Sequence, residues 1–249
     1  MANYAFEFRT AFPGVEFQEI DVELPCPPAT RALLRSSAGA GSILKIQLEH
    51  LDSDEEALAR AMSVADHIAS VLSFGVPNGH WNSWELDHWS KNADGHESLS
   101  QNLNLVEHVE CVIGLGPQNR DAIRTLLAQR AYAGLTYYNQ FRYAVGLSDA
   151  LSRFMALYGI VLAIVGDKQE DVDATVLAIE PSVATNPPHR QRASRVPETV
   201  YTRLRNQIGH PRGVALDETV GEMKSHLGGL TAIARTLISR QLEEAPSIP

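Results

Sequence analysis

The stretch from Leu151 to Val165 is the feature that most restricts how this chain can fold. It is apolar almost all round, and a helix of that kind has to lie at the centre of a helical bundle because it has no face to leave in water. Ser148 can cap its start, and Gly166 can end it. The longest apolar run, Phe154 to Gly166, is well short of the ~20 residues that cross a bilayer, so we expect no membrane span.

Helical spacing extends to both sides of this segment. It predicts further helices from Pro117 to about Ala131 and over Tyr137–Val145, Glu170–Ile179, Glu198–Gly209 and Asp217–Gln241. A loop that contains proline and arginine, residues 181–197, interrupts them. Because five or six helices with short links form a bundle, we expect an all-α domain over residues 117–249.

The first 116 residues mix strand and helix signals. Period-2 alternation predicts strands at Tyr4–Phe8, at Val15–Leu24 with a bulge near 18–19, and at Leu44–Leu48, with two more in the tryptophan-rich segment after Gly79 and from Leu103 to Ile113. The stretch from Ser36 to Ser42 is predicted to be a flexible turn. Ser53 and Glu56 have the spacing of a capping box, which predicts a helix as far as about Phe74. We therefore expect an α+β domain over residues 1–116.

Charge is divided unevenly between these two parts. Residues 1–116 carry 6 basic and 17 acidic side chains, a net charge of −11, whereas residues 117–249 carry 15 and 13, a net charge of +2. The first part should therefore repel polyanions, and the second should not. The start of the sequence has no secretory signal pattern, and two cysteines make neither a disulfide framework nor a zinc set. We expect a cytoplasmic protein with free thiols.

A basic cluster lies in the helical part. Residues 189–212 contain Arg190, Arg192, Arg195, Arg203, Arg205 and Arg212, against Glu198 as the one acid. Such a cluster can be a solvated arginine-rich loop, or it can hold an RNA backbone in a salt-sensitive way.

The segment Arg205–His210 is the part of this cluster whose residues are best suited to a binding site. Asn206 and His210 are four residues apart and share a helix face, and Arg205 lies beside them. Pro211 should end the helix at Gly209 or His210, where the helix dipole favours a protonated imidazole. An arginine fork fits phosphate, so these residues predict an anion site. The alternative is structural: Arg205 pairs with an acid such as Glu198 or Asp217, and His210 satisfies helix-end carbonyls.

The arginine, the polar residue after it and the histidine, in a helix that follows an apolar one, resemble the HEPN superfamily. The resemblance covers roughly residues 135–242. The run Asp149–Phe154, the segment Arg205–His210 and the long final helix are most similar to MauJ-type proteins, which are methylamine-utilisation accessory proteins. The resemblance therefore implies a HEPN-like helical bundle after the α+β domain.

Many HEPN proteins are dimeric endoribonucleases that need no metal. The resemblance therefore implies a homodimer formed through the helical domain, with His210 as general base or acid, Arg205 stabilising charge on the phosphorus, and Asn206 orienting the histidine or the phosphate. RNA would be the substrate or ligand, and no cofactor is expected. The other implied function is a non-catalytic scaffold or ligand-binding accessory protein, because many HEPN domains use this region for dimerisation or binding.

A metal site is the weaker interpretation of the first part. His80, His88 and His96 lie among acidic residues, but their eight-residue spacing fits no standard ligand set. We expect a polar strand and loop there and no metal site. Trp81, Trp84 and Trp89 have acidic neighbours, which argues against base stacking, so we expect them in a core or an interface.

Overall fold

The computed structural model describes residues 1–10, 15–16, 19–25, 28–37, 41–76, 84–93, 96–101, 113–114, 116–128, 135–186, 196–209 and 216–244. The chain divides into two compact units, Met1–Ala131 and Tyr132–Pro246. The described part of the first unit combines a sheet with helices, and that of the second is mostly helical. This confirms the predicted order, α+β followed by helical.

The first unit is built on an antiparallel sheet. Its described strands are β1 (Ala2–Thr10), β2 (Val15–Glu16), β3 (Ile20–Glu23), β4 (Ala29–Ser37), β5 (Gly41–Leu51), β6 (Glu85–Ala93), β7 (His96–Gln101) and β8 (Ile113–Gly114), and its described helices are α1 (Asp54–Gly75) and α2 (Pro117–Ala128). The main sheet has the order β3-β4-β5-β1-β6-β7, and β2 pairs with β8 in parallel. The N-terminal strand therefore lies inside the sheet.

Alternation along β1 separates the two faces of this sheet. Tyr4, Phe6 and Phe8 are buried and lie opposite apolar residues of β5. Trp84 is buried, as the sequence predicted, whereas Trp89 of β6 is half-buried and stacks on Phe6 with 5.9 Å between ring centroids. Trp81 lies outside the described residues. The odd-numbered side chains of β1 lie on the other, polar face.

Helix α1 covers the apolar face. Its alanines at 57, 61, 65 and 69 are buried, and the helix packs on β1, β4 and β5. The Ser53 half of the predicted capping box is confirmed at its start, where the Ser53 side chain accepts a hydrogen bond of 3.1 Å from the backbone N–H of Glu56. Asp54 accepts hydrogen bonds from Lys91 Nζ and from Tyr4 Oη, which hold the pKa of its carboxyl below the usual range.

Replacing the cap should weaken the first unit. In a Ser53→Ala protein the N–H of Glu56 loses its acceptor, and we expect the free energy of unfolding to fall by about 1 kcal/mol. Urea denaturation followed by circular dichroism measures it. Ser63→Ala, an exposed change within the same helix, is the matched control and should cost nothing. Equal losses in the two proteins would contradict a capping role for Ser53.

Several predicted elements of the first unit differ from the structure. Strand β4 was not predicted, the predicted strand at 15–24 is divided into β2 and β3, and the predicted turn at 36–42 overlaps the end of β4 and the start of β5. Helix α2 packs on α1 and β3, so it belongs to the first unit and not to the helical part that we expected to begin at residue 117. Of the predicted strand at 103–113, residues 103–112 lie outside the described residues.

The second unit has its apolar helix at the centre, as predicted. Its described elements are α3 (Leu135–Gly146), α4 (Ala150–Val165), α5 (Gln169–Ile179), β9 (Thr185–Asn186), β10 (Glu198–Thr199), α6 (Val200–Gly209) and α7 (Leu216–Glu244). Helix α4 contacts α3, α5, α6 and α7. Gly166 ends α4 in the left-handed conformation, with φ of 110°. The cap at its start is Asp149, and not Ser148, because the Asp149 carboxylate accepts from the N–H of Ser152 at 2.7 Å.

No single helix among the described residues is both long enough and apolar enough to span a membrane. Helices α4 and α5 taken together meet that test of length and composition, but the chain bends by 96° between them. Phe154, Leu157 and Val161 of α4 are fully buried inside the second unit.

Candidate functional site

Helix α6 carries the predicted site and is fixed to the bundle along one side. Val200 and Leu204 are buried, and α6 contacts α4, α5 and α7. Tyr158 of α4 shares a hydrogen bond of 3.0 Å with the hydroxyl of Thr202. The last described residue of the helix is Gly209, in agreement with the predicted end.

The start of α6 is attached to α5 by a buried carboxylate. Asp173 is 0% exposed, and its Oδ1 accepts from Thr199 at two atoms, the backbone N–H at 2.9 Å and the hydroxyl at 2.7 Å. Residues 198–199 pair with β9 before the helix begins, so the predicted helix start at Glu198 lies two residues too early. A charge-assisted contact of this kind fixes where α6 leaves the bundle.

Asn206 was predicted to be catalytic, and the structure buries it. Only 9% of the surface of Asn206 is exposed. Nδ2 donates to Glu198 Oε1 at 3.0 Å and to Gln169 Oε1 at 3.3 Å. Oδ1 accepts from Gln169 Nε2 at 2.9 Å and from Arg205 Nη1 at 3.1 Å. Because an amide offers two N–H groups and two lone pairs, these bonds use its whole capacity, and Asn206 has none left for a ligand.

Arg205 is half-buried and is oriented by its neighbour in sequence. Its Nη1 donates to Asn206 Oδ1, and within the described part of the chain its guanidinium makes no ion pair. The predicted pairing with Glu198 or Asp217 is therefore not found among those residues. A guanidinium that donates one hydrogen bond to a neutral oxygen keeps its positive charge and further N–H groups for an anion.

Arg203, the next arginine of α6, is engaged inside the unit. One of its terminal nitrogens forms an ion pair with Glu222 of α7, and the other donates to Gln207 at 3.3 Å. A cation paired in this way has less attraction for RNA than one without an acidic partner.

The other predicted residues of the site lie outside the described residues. These are His210 and the arginines Arg190, Arg192, Arg195 and Arg212. Whether Arg205 and His210 converge on one ligand therefore stays a prediction. Gln169 and Glu198, by contrast, are brought to the site by the fold. Gln169 is 37 residues from Asn206 in the sequence, and no local pattern could have pointed to it.

A second polar cluster lies on the polar face of the sheet. Ligand atoms of Glu7, Asp87 and His88 all lie within 4.8 Å of one another. Two cations already neutralise the carboxylates: Lys45 Nζ lies 2.8 Å from Glu7, and Arg9 Nε lies 2.9 Å from Asp87. We therefore assign the cluster as an ion-pair network. Of the three histidines weighed as ligands in the sequence, it includes His88; His80 and the side chain of His96 lie outside what the structure describes.

No family model, no curated protein and no solved structure matches this chain. The resemblance of residues 135–242 to the HEPN superfamily thus stays a prediction from the residues themselves. What singles out the last turns of α6 is their geometry, in which an oriented guanidinium lies on a helix docked on the apolar core.

Proposed function

We propose that this chain is a HEPN-type protein that binds RNA and cuts it without a metal, using Arg205 and His210. The observation that carries the proposal is the state of Arg205. It is held by Asn206 at the end of α6 and has no acidic partner among the described residues. A guanidinium that is oriented in this way and forms no ion pair with a described residue is suited to a phosphodiester.

The chemistry assigned to the two residues is an internal phosphoryl transfer. Neutral His210 takes the proton of a ribose 2′-hydroxyl, the 2′-oxygen forms a bond to phosphorus, and the bond from phosphorus to the 5′-oxygen breaks. A protonated histidine returns a proton to that leaving oxygen, and an imidazole titrates in the range both steps need. Arg205 donates to the phosphoryl oxygens as negative charge builds on them. Two copies of the chain, paired through their helical units, supply the two histidines.

The test uses the full chain, a mixed RNA pool and excess EDTA. We expect the wild-type protein to cut and His210→Ala to lose cutting. Arg205→Ala should cut RNA at least about tenfold more slowly, because its guanidinium donates to the phosphoryl oxygens as negative charge builds on them. Arg240→Ala removes an exposed charge from α7 and is the matched control. If wild-type protein leaves the RNA intact, or if all of these proteins cut alike, the nuclease proposal fails.

A second function is favoured by one observation, the internal pairing of neighbouring polar groups. Asn206 and Arg203 both form hydrogen bonds with residues of the bundle itself. A region organised in this way also suits a non-catalytic HEPN scaffold or a ligand-binding accessory protein of MauJ type. A stable dimer that neither cuts nor binds RNA in the assay above would support this second function.

A further inference from the structure

We propose that Glu198 and Gln169 are positioning residues that set the direction of Arg205 through the amide of Asn206. The inference rests on the proposed function, because it assigns these two residues a part in the same site. Neither residue needs to touch RNA. Each acts on the guanidinium through one intervening side chain.

The first step is the contact between Arg205 and Asn206. An arginine only donates hydrogen bonds, so the amide must turn its oxygen, and not its nitrogen, towards Nη1. Oδ1 lies 3.1 Å from Nη1, in that orientation. If the amide turned over, two donors would face one another, and the guanidinium would have to move.

The second step is what keeps the amide in that orientation. Gln169 cannot decide it alone, because its own amide can turn over together with that of Asn206 and restore both bonds between them. A carboxylate only accepts hydrogen bonds. Glu198 Oε1 lies 3.0 Å from Nδ2 of Asn206, so it can bond to the amide nitrogen but not to the amide oxygen. Glu198 therefore selects the orientation, and Gln169 holds the plane of the amide.

The third step is the rigidity of these two residues. Glu198 is 3% exposed and belongs to β10, which is paired with β9. Gln169 is the first residue of α5. Three separate elements thus meet at Asn206, and a small change at any of them reaches the guanidinium. Errors of about 1 Å in the placement of a reacting group can lower a rate about a hundredfold.

The test compares an isosteric change with a truncation. Glu198→Gln keeps the size of the side chain but can also donate, so it no longer selects the amide orientation. Gln169→Ala removes the partner that holds the plane. With RNA in EDTA, we expect kcat to fall about tenfold in Glu198→Gln and several-fold in Gln169→Ala, with KM nearly unchanged. Gln140→Ala, an exposed change on α3, is the matched control and should behave as wild type.

A merely structural role would lower the amount of folded protein and leave the kcat of the folded fraction alone. Thermal unfolding and active-fraction measurements distinguish a structural role from a positioning role. If folded Glu198→Gln and Gln169→Ala both keep the wild-type kcat, the positioning proposal is overturned.

A second readout does not need RNA cleavage. In wild-type protein the Nη groups of Arg205 should give separate, slowly exchanging NMR signals, identified by their loss in Arg205→Lys, and these should average in Glu198→Gln. If the wild-type protein does not cut RNA but shows those signals, the proposed function fails and the positioning stands. Averaged Nη signals in the wild-type protein would overturn the positioning itself.

Discussion

An Asp173→Ala protein is expected to lose about 3 kcal/mol of unfolding free energy, which is a large part of the total stability of a domain of this size. The carboxylate is fully buried and accepts two hydrogen bonds from Thr199. Its removal leaves a backbone N–H and a hydroxyl buried without that acceptor, and each such group costs roughly 1–3 kcal/mol. The start of α6 would separate from α5.

Chemical denaturation of the full chain, followed by a signal from the second unit, measures this loss. Asp171→Ala changes an exposed aspartate of the same helix and should cost less than about 1 kcal/mol. Asp173→Asn keeps a carbonyl oxygen, so its loss of unfolding free energy should lie between those of Asp171→Ala and Asp173→Ala. A loss below about 1 kcal/mol in Asp173→Ala would show that the contact with Thr199 does not anchor the helix.

Adjacent glycines of α7 should respond in opposite directions to the same substitution. A Cβ at Gly229 would lie 2.2 Å from the hydroxyl oxygen of Tyr201, whereas a Cβ at Gly228 would meet nothing within 4 Å. Tyr201 is buried and donates to Glu180, and burial raises the pKa of its hydroxyl well above the usual range. We expect Gly229→Ala to lose about 2 kcal/mol and Gly228→Ala to gain up to about 1 kcal/mol from helix propensity.

The cause of the loss can be checked with a second change. In Tyr201→Phe the hydroxyl is gone, and the nearest atom to the new methyl becomes Cζ, 3.5 Å away, which is ordinary contact. In that background Gly229→Ala should no longer destabilise the protein. Thermal and urea unfolding of the single and double variants give the coupling energy between positions 201 and 229. If the loss persists without the hydroxyl, close approach to Tyr201 is not its cause.

Elements whose own residues decide their structure could be predicted from the sequence. The N-cap at Ser53, the apolar helix and its end at Gly166 are local signals, and each is present in the structure. Strand β4 was missed because the neighbouring apolar residues Leu33 and Leu34 break the period-2 pattern, although Leu34 faces the core and is fully buried. Helix α2 has an apolar side at Ile123 and Leu127, but the pattern does not say which unit receives it.

The site was predictable only in part, for the same reason. Helical spacing correctly placed Arg205 and Asn206 at the end of a helix docked by Val200 and Leu204. It could not show that Asn206 is buried, because that depends on Gln169 and Glu198, which reach it from other elements. A polar residue beside an arginine is usually exposed, and only its tertiary partners make this one internal.

The central place of β1 bears on the order in which the first unit assembles. Strand β1 pairs with β5 on one side and with β6, which begins at residue 85, on the other. Pairings between such distant parts of a chain require large loops to close, and folds of that kind form slowly. During synthesis, the edge of β1 that pairs with β6 therefore stays without that partner until residues 85–93 have been made, and unpaired strand edges are prone to aggregate.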